Sequence, residues 1–180
     1  IESAYNLSHI IFDRKPNRIL FVGSCGSYGE LNILDTFFSS SATQIEQSFL
    51  YKNSYTPIKN KIINDVSHET IVNSSNYITT DKDVSKRYLE MGLGAENMEF
   101  YSVLWAAQTA GIEARGFFVV TNYCHQNGQT EYKNNLVKAT DVIYDRYEKE
   151  LKKYQKTNYT FILIAVSITP SRACGFSSVM

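Results

Sequence analysis

The sequence carries no excess charge of either sign: 18 Lys and Arg residues are matched by 18 Asp and Glu. Without a basic surplus or a polybasic run it lacks the electrostatic footprint of a nucleic-acid or anionic-membrane binder, so neither partner is expected. It also lacks long apolar runs. The longest, residues 161–166, is far too short to span a bilayer. No charged segment leads into an apolar one at the start, so no signal peptide is expected. Cysteine is scarce. Cys25, Cys124 and Cys174 are an odd, widely spaced set with no CxxC pair, which argues against a disulfide framework and for free thiols in a reducing cytosol. His9, His68 and His125 show no ligand spacing, so no metal site is expected. The one Gly-rich stretch is not followed by Gly-Lys-Ser/Thr and lacks the GxGxxG spacing, so it is neither a Walker loop nor a dinucleotide fingerprint.

What is present fits a soluble domain with a real core: 180 residues, 43% hydrophobic and 20% charged. We read one domain over residues 1–156 and a C-terminal tail, residues 157–180, with no recognisable capping or packing pattern. The chain opens on Ile1 with a helix and no strand before it, and both ends read as truncated.

Residues 3–13 have an amphipathic helical pattern stopped by the turn Lys15-Pro16-Asn17. Residues 18–22 (RILFV) are a short apolar run bounded by turn signals, as a buried strand would be. Further strands are expected over residues 36–42, 48–51 and 69–78. A helix is expected over 96–110 with Gly111 as its C-cap, then a β-rich run over 114–120. A long amphipathic helix is expected over about 131–156, its charged side solvated. Strands alternating with helices give an α/β fold.

In such folds ligands gather at the carboxyl ends of strands. The run Gly23-Ser24-Cys25-Gly26-Ser27-Tyr28-Gly29 follows the first strand. It is either a tight structural turn or a loop that brings backbone N–H groups to a ligand. Thr121-Asn122-Tyr123-Cys124-His125 follows another strand. Cys124 beside His125 is not a thiol–imidazole pair, because neighbouring side chains point apart. Glu99 opens an otherwise apolar helix. It is either a solvated first-turn carboxylate favoured by the helix dipole or a buried acceptor for ligand hydroxyls.

In order and spacing, five pieces resemble the nucleoside phosphorylase and nucleosidase superfamily. Gly23-Ser24-Cys25-Gly26 is similar to its Gly-Ser-Ala/Cys-Gly turn, and Asp35-Thr36-Phe37-Phe38-Ser39 to the strand after it. Val72-Asn73-Ser74-Ser75-Asn76-Tyr77-Ile78 resembles the segment that brings an aromatic ring over the purine. Ala95-Glu96-Asn97-Met98-Glu99 resembles the Met-Glu signature, and Val120-Thr121-Asn122 the Ser/Thr-Asp/Asn strand end. The match spans roughly residues 3–155.

The resemblance implies a three-layer αβα fold around a mixed, twisted sheet, with the family's N-terminal strand missing, and an enzyme that cleaves the N-glycosidic bond of purine nucleosides. It gives Glu99 the ribose hydroxyls, with Met98 packed on the sugar. Tyr77 would stack on the base and Ile78 line it. Cys25 and Gly26 would present backbone to the base, Ser24 would face the nucleophile, and Asn122 would bond the purine at N7 and its 6-substituent. The partners implied are a purine nucleoside, phosphate as co-substrate in the phosphorolytic branch, and further copies of the chain in a homo-oligomer. No cofactor is implied, and the location implied is cytoplasmic.

Three departures matter: the missing N-terminal strand, residue 122 and residue 21. Asn122 stands where nucleosidases carry Asp, and an amide cannot act as a general acid, which points to 6-oxopurines. Phe21 stands where hexameric phosphorylases hold a phosphate-binding Arg. The nearest basic residue, Arg18, shares a strand face with Leu20 and Val22 rather than with Phe21. The competing reading is therefore a catalytically inactive nucleoside-binding module or a truncated fragment of the family.

Overall fold

The computed structural model describes residues 2–64, 68–154 and 161–165. The helices are α1 (Glu2–Arg14), α2 (Gln47–Leu50), α3 (Lys82–Glu90), α4 (Phe100–Thr109) and α5 (Gly128–Tyr154). The strands are β1 (Arg18–Ser27), β2 (Thr36–Ser39), β3 (Ala42–Thr43), β4 (Lys61–Ile62), β5 (Ile71–Asn73), β6 (Leu93–Glu96), β7 (Glu113–Tyr123) and β8 (Phe161–Ala165). They form one mixed sheet in the order β2-β7-β1-β6-β5-β3-β4, with β8 added to β1. This is the expected α/β architecture, a mixed sheet between helical layers.

Alternation along β1 assigns the layers. Ile19 and Phe21 join Phe118 and Val120 of β7 in a cluster with Leu7 of α1 and Phe100, Val103, Leu104 and Ala107 of α4. Leu20 and Val22 face the other way, into Phe117 and Val119 and onto Ala139 and Ile143 of α5. A third cluster, with Tyr28, Ile45, Val84, Tyr88, Leu93 and Cys124, fixes α3 at one corner. Among the described residues no helix is long and apolar enough to cross a membrane.

β1 is central. It pairs in parallel with β7 along its whole length, and in parallel with β8 from Arg18–Phe161 to Val22–Ala165. At its carboxyl end it pairs antiparallel with β6, Gly26 opposite Glu96. Residues 161–165, assigned above to a tail, are thus a strand of the sheet; residues 155–160 and 166–180, including Cys174, lie outside the described residues.

Several expected elements differ. Residues 36–42 are two strands on different partners. Ser40 N and Oγ and Ser41 Oγ all donate to the Glu69 carboxylate, and this breaks the ladder between them. Residues 48–51 contain the last turn of α2 rather than a strand, because Phe49 and Leu50 both pack inward on the third cluster. The strand expected over 69–78 ends at Asn73, where Ser74 Oγ turns to accept from Tyr101 N and Glu46 accepts from Ser75 Oγ and Asn76 N.

The run 23–27 is not a turn but the second half of β1, and the chain bends only after Tyr28, at Gly29 with φ +136°. The helix expected from 96 begins at Phe100, because Asn97 Oδ1 accepts from Glu99 N and Phe100 N and caps it there. α3 and β6 were not anticipated. Asp81 caps α3 through bonds from Asp83 N and Val84 N, whereas β6 is a four-residue buried strand without alternation.

Candidate functional site

Because β1 and β7 run parallel, both end at the same edge of the sheet. A cavity of about 410 Å3 opens there, lined by Ser24, Cys25, Gly26, Ile78, Glu96, Asn97, Met98, Glu99, Thr121, Asn122, Gly128, Gln129 and Tyr132. Seven of the eight residues singled out from the sequence line it: Ser24, Cys25, Gly26, Ile78, Met98, Glu99 and Asn122.

The strand ends are shaped by a bulge. Cys25 pairs with Val120 but Gly26 with Asn122, which leaves Thr121 unpaired in the ladder. Bulges of this kind re-aim the side chain that follows. Thr121 Oγ1 has one proton to share between Cys25 O at 3.2 Å and the nearer Asn122 Oδ1 at 2.9 Å. Asn122 Nδ2 donates to Tyr123 O at 3.0 Å. The Asn122 amide is thus held at both ends at the cavity rim.

The Cys25 side chain packs in the α4-side core, with Sγ 3.8 Å from Val119 O. Burial pushes its thiol far above the usual range, and that of Cys124 likewise. Buried thiols of this kind are inert.

Asn97 ties the third wall to the first. Its Nδ2 donates to Ser24 O at 3.1 Å, and its backbone N–H donates to Asn73 O at 2.9 Å. Its Oδ1 fixes the turn that presents Met98 and Glu99. Glu99 is half-buried at the N-cap position of α4. Burial raises its pKa, partly offset by the Asn97 side chain and the Met98 and Glu99 backbone. Tyr132, on the second turn of α5, has its phenol pKa raised by burial first and then by the charge of Glu99. Both line the cavity.

Tyr77 is not in this cavity. It is 78% exposed and lines a smaller one of about 110 Å3, with Glu46, Ser75, Thr79, Asp81 and Tyr88. Glu46 holds Ser75 and Asn76, and Tyr77 N donates to Ser75 Oγ, so the chain turns its ring outward. Only Ile78 belongs to both cavities. Phe21 is fully buried against Phe100 and Phe118, and Arg18 pairs with Glu113 at 2.8 Å at the amino end of β1, the end remote from the cavity. His125 lies outside the lining, with Nε2 3.1 Å from Glu131 Oε1. No group of His, Cys, Asp or Glu among the described residues could hold a metal ion.

Sequence reasoning gave no role to Glu96, Asn97, Thr121, Gly128, Gln129 or Tyr132. Asn97 carried a readable signal, an Asn just before an apolar helical run. Glu96 and Tyr132 carried none, since each reaches the cavity only through sheet register or helix packing.

No protein-family model and no curated protein matches the sequence. Solved structures do match the fold, several of them nucleosidases by name. Futalosine hydrolase of Helicobacter pylori strain 26695 is similar at TM-score 0.72 and 15% identity, over 84% of this chain and 75% of that one. A 5′-methylthioadenosine/S-adenosylhomocysteine nucleosidase of Helicobacter pylori, with 5′-methylthioadenosine in its active site, gives TM-score 0.70 and 15% identity over the same shares. S-adenosylhomocysteine nucleosidase from Streptococcus pyogenes gives 0.67 and 12%, over 84% of this chain and 74% of that one.

Proposed function

We propose that this cavity binds a purine nucleoside and that the chain cleaves its N-glycosidic bond. One observation carries the reading. Four segments far apart in sequence, chosen for their resemblance to a nucleoside site, contribute Ser24–Gly26, Ile78, Met98–Glu99 and Asn122 to a single cavity. Its chemistry suits the ligand. A carboxylate can accept from vicinal ribose hydroxyls, Met98 offers apolar contact to the sugar, and Ile78 offers it to a flat base. Glycoside cleavage passes through an oxocarbenium-like state, so holding the sugar in line and receiving the departing base are the main tasks.

The nucleophile is water on this reading. Among the described residues lining the cavity there is no Lys, Arg or His, and there are two carboxylates, Glu96 and Glu99. A phosphate dianion desolvated there would have no cationic partner.

The neutral amide of Asn122 favours a 6-oxopurine, since it cannot protonate N7 of adenine. The similar Helicobacter pylori enzyme holds an adenine nucleoside, so the base is decided by assay. Inosine, guanosine, adenosine and 5′-methylthioadenosine are incubated with the chain, with and without phosphate, and free base is measured. Base release independent of phosphate is expected; failure to bind or cleave any of the four refutes the proposal.

A further inference from the structure

The cavity holds a second carboxylate that the reading above gives no task. Glu96 ends β6, is 6% exposed and stands opposite Gly26 in the sheet. Its Oε1 accepts from Thr79 N at 2.9 Å. Its Oε2 accepts from Thr79 Oγ1 at 2.5 Å and from Tyr28 OH at 2.9 Å. The Tyr28 hydroxyl in turn accepts from Asn73 Nδ2 at 3.3 Å, and Asn73 is fixed by Thr43 Oγ1 and Ile45 N and by its bond to Ile45 O. Glu96 is therefore a rigid post, braced from behind by a strand and bonded in front to a loop.

A buried carboxylate is an expensive way to close a sheet, since an apolar side chain of similar volume is often at least as stabilising. What Glu96 does that an apolar residue could not is grip Thr79 twice, by backbone and by hydroxyl. The same loop is gripped at its other end by Glu46, through Ser75 Oγ at 2.8 Å and Asn76 N at 3.1 Å. Between the two anchored ends stand Tyr77 and Ile78, 78% and 58% exposed. Ile78 is the wall shared by the two cavities.

We propose that Glu96 is a positioning residue for ligand binding: by holding Thr79 it sets Ile78, and the loop carrying Tyr77, against the base of the bound nucleoside. The base is the flat, apolar part of that ligand, and Ile78 is the apolar wall whose place the Glu96–Thr79 bonds determine. This inference rests on the nucleoside reading of the cavity.

The test is calorimetric titration of two pairs, inosine with hypoxanthine and 5′-methylthioadenosine with adenine, into the wild type and four variants. Glu96→Ala should weaken free base and nucleoside alike by about tenfold, the worth of a charge-assisted hydrogen bond. Thr79→Val, which keeps the N–H and removes the hydroxyl, should weaken both by less. The double variant should be no worse than Glu96→Ala alone, because the two residues act through one linkage. Glu96→Gln, which keeps an acceptor for Thr79 N–H, should recover most of the loss. In turnover, KM should rise with kcat little changed.

A role in stability alone predicts lower melting temperatures with unchanged affinity of the folded protein for base. That result for Glu96→Ala overturns the inference. Should Glu96→Ala not fold, Thr79→Val carries the test, and unchanged affinity for base in that variant overturns it equally. Wild-type protein that binds neither member of either pair overturns the nucleoside reading itself, and this inference with it.

Discussion

Gly26 and Asn122 stand in register across the β1–β7 bulge, and the space a side chain on Gly26 would need is already filled. An ideal Cβ there would lie 2.7 Å from Cys124 Sγ and 3.1 Å from Asn122 Nδ2. The glycine near the carboxyl end of a central strand is thus a matter of room beside a polar rim, not of turn geometry.

Gly26→Ala should therefore cost about 1–3 kcal/mol of stability through overpacking, measured by chemical denaturation. Adding Cys124→Ala opens the tighter of the two contacts and should restore much of that stability. Nucleoside binding should stay impaired in the double variant, because the contact with Asn122 remains. Equal recovery of both would show that the Asn122 contact has no part in binding.

Glu99→Ala should remove the acceptor for the ribose hydroxyls and leave the base site intact. Affinity for nucleoside should fall by about ten- to a hundredfold, the worth of one charge-assisted bond, while affinity for free base is unchanged. Titration with inosine and with hypoxanthine checks it; equal losses for both would place Glu99 elsewhere than at the sugar.

Asn122→Asp should shift preference toward 6-aminopurines by supplying a group able to share a proton with N7. The ratio of kcat/KM for 5′-methylthioadenosine to that for inosine should rise in the variant. A ratio that stays put would remove residue 122 from base discrimination.

The stability of the protein should respond to pH through Glu96. Burial, opposed by the bonds from Thr79 and Tyr28, leaves its folded pKa above the usual carboxylate value. Between the unfolded and the raised folded pKa the native state binds more protons than the unfolded state, so stability falls as pH rises through that window. Wild type should therefore gain stability relative to Glu96→Gln as pH is lowered from neutrality toward the carboxylate range. Urea denaturation of both proteins across that range measures it; a difference that grows with rising pH would contradict the burial argument.

The sequence showed the layers plainly and the site in outline. RILFV and FFVV read as buried strands because both of their faces are apolar, and β1 and β7 duly have a core on either side. Ser24, Met98, Glu99 and Asn122 could be chosen because each sits in a short local pattern. The misses have one physical origin. Residues 69–78 read as a strand until the side chains of Ser74, Ser75 and Glu46 took over the backbone's bonding, and those partners are distant in sequence. Tyr77 was placed on the cavity by analogy and is turned out by the same bonds. Glu96 was invisible for a similar reason, since its partners Tyr28 and Thr79 come from either side of it in the chain.

The pairing of β8 with β1 has a consequence for the order of assembly. β1 precedes its neighbours β6, β7 and β8 in the chain by a wide margin, and β8 is the last of the described strands. Closing contacts of such sequence separation is slow, and until then an apolar strand has open edges on which another chain can pair. Completion of the sheet around β1 accordingly waits on the synthesis of β8. Nascent chains halted before Phe161 should accumulate with the Arg18–Val22 edge of β1 unsatisfied, and chaperone demand should fall sharply once β8 emerges.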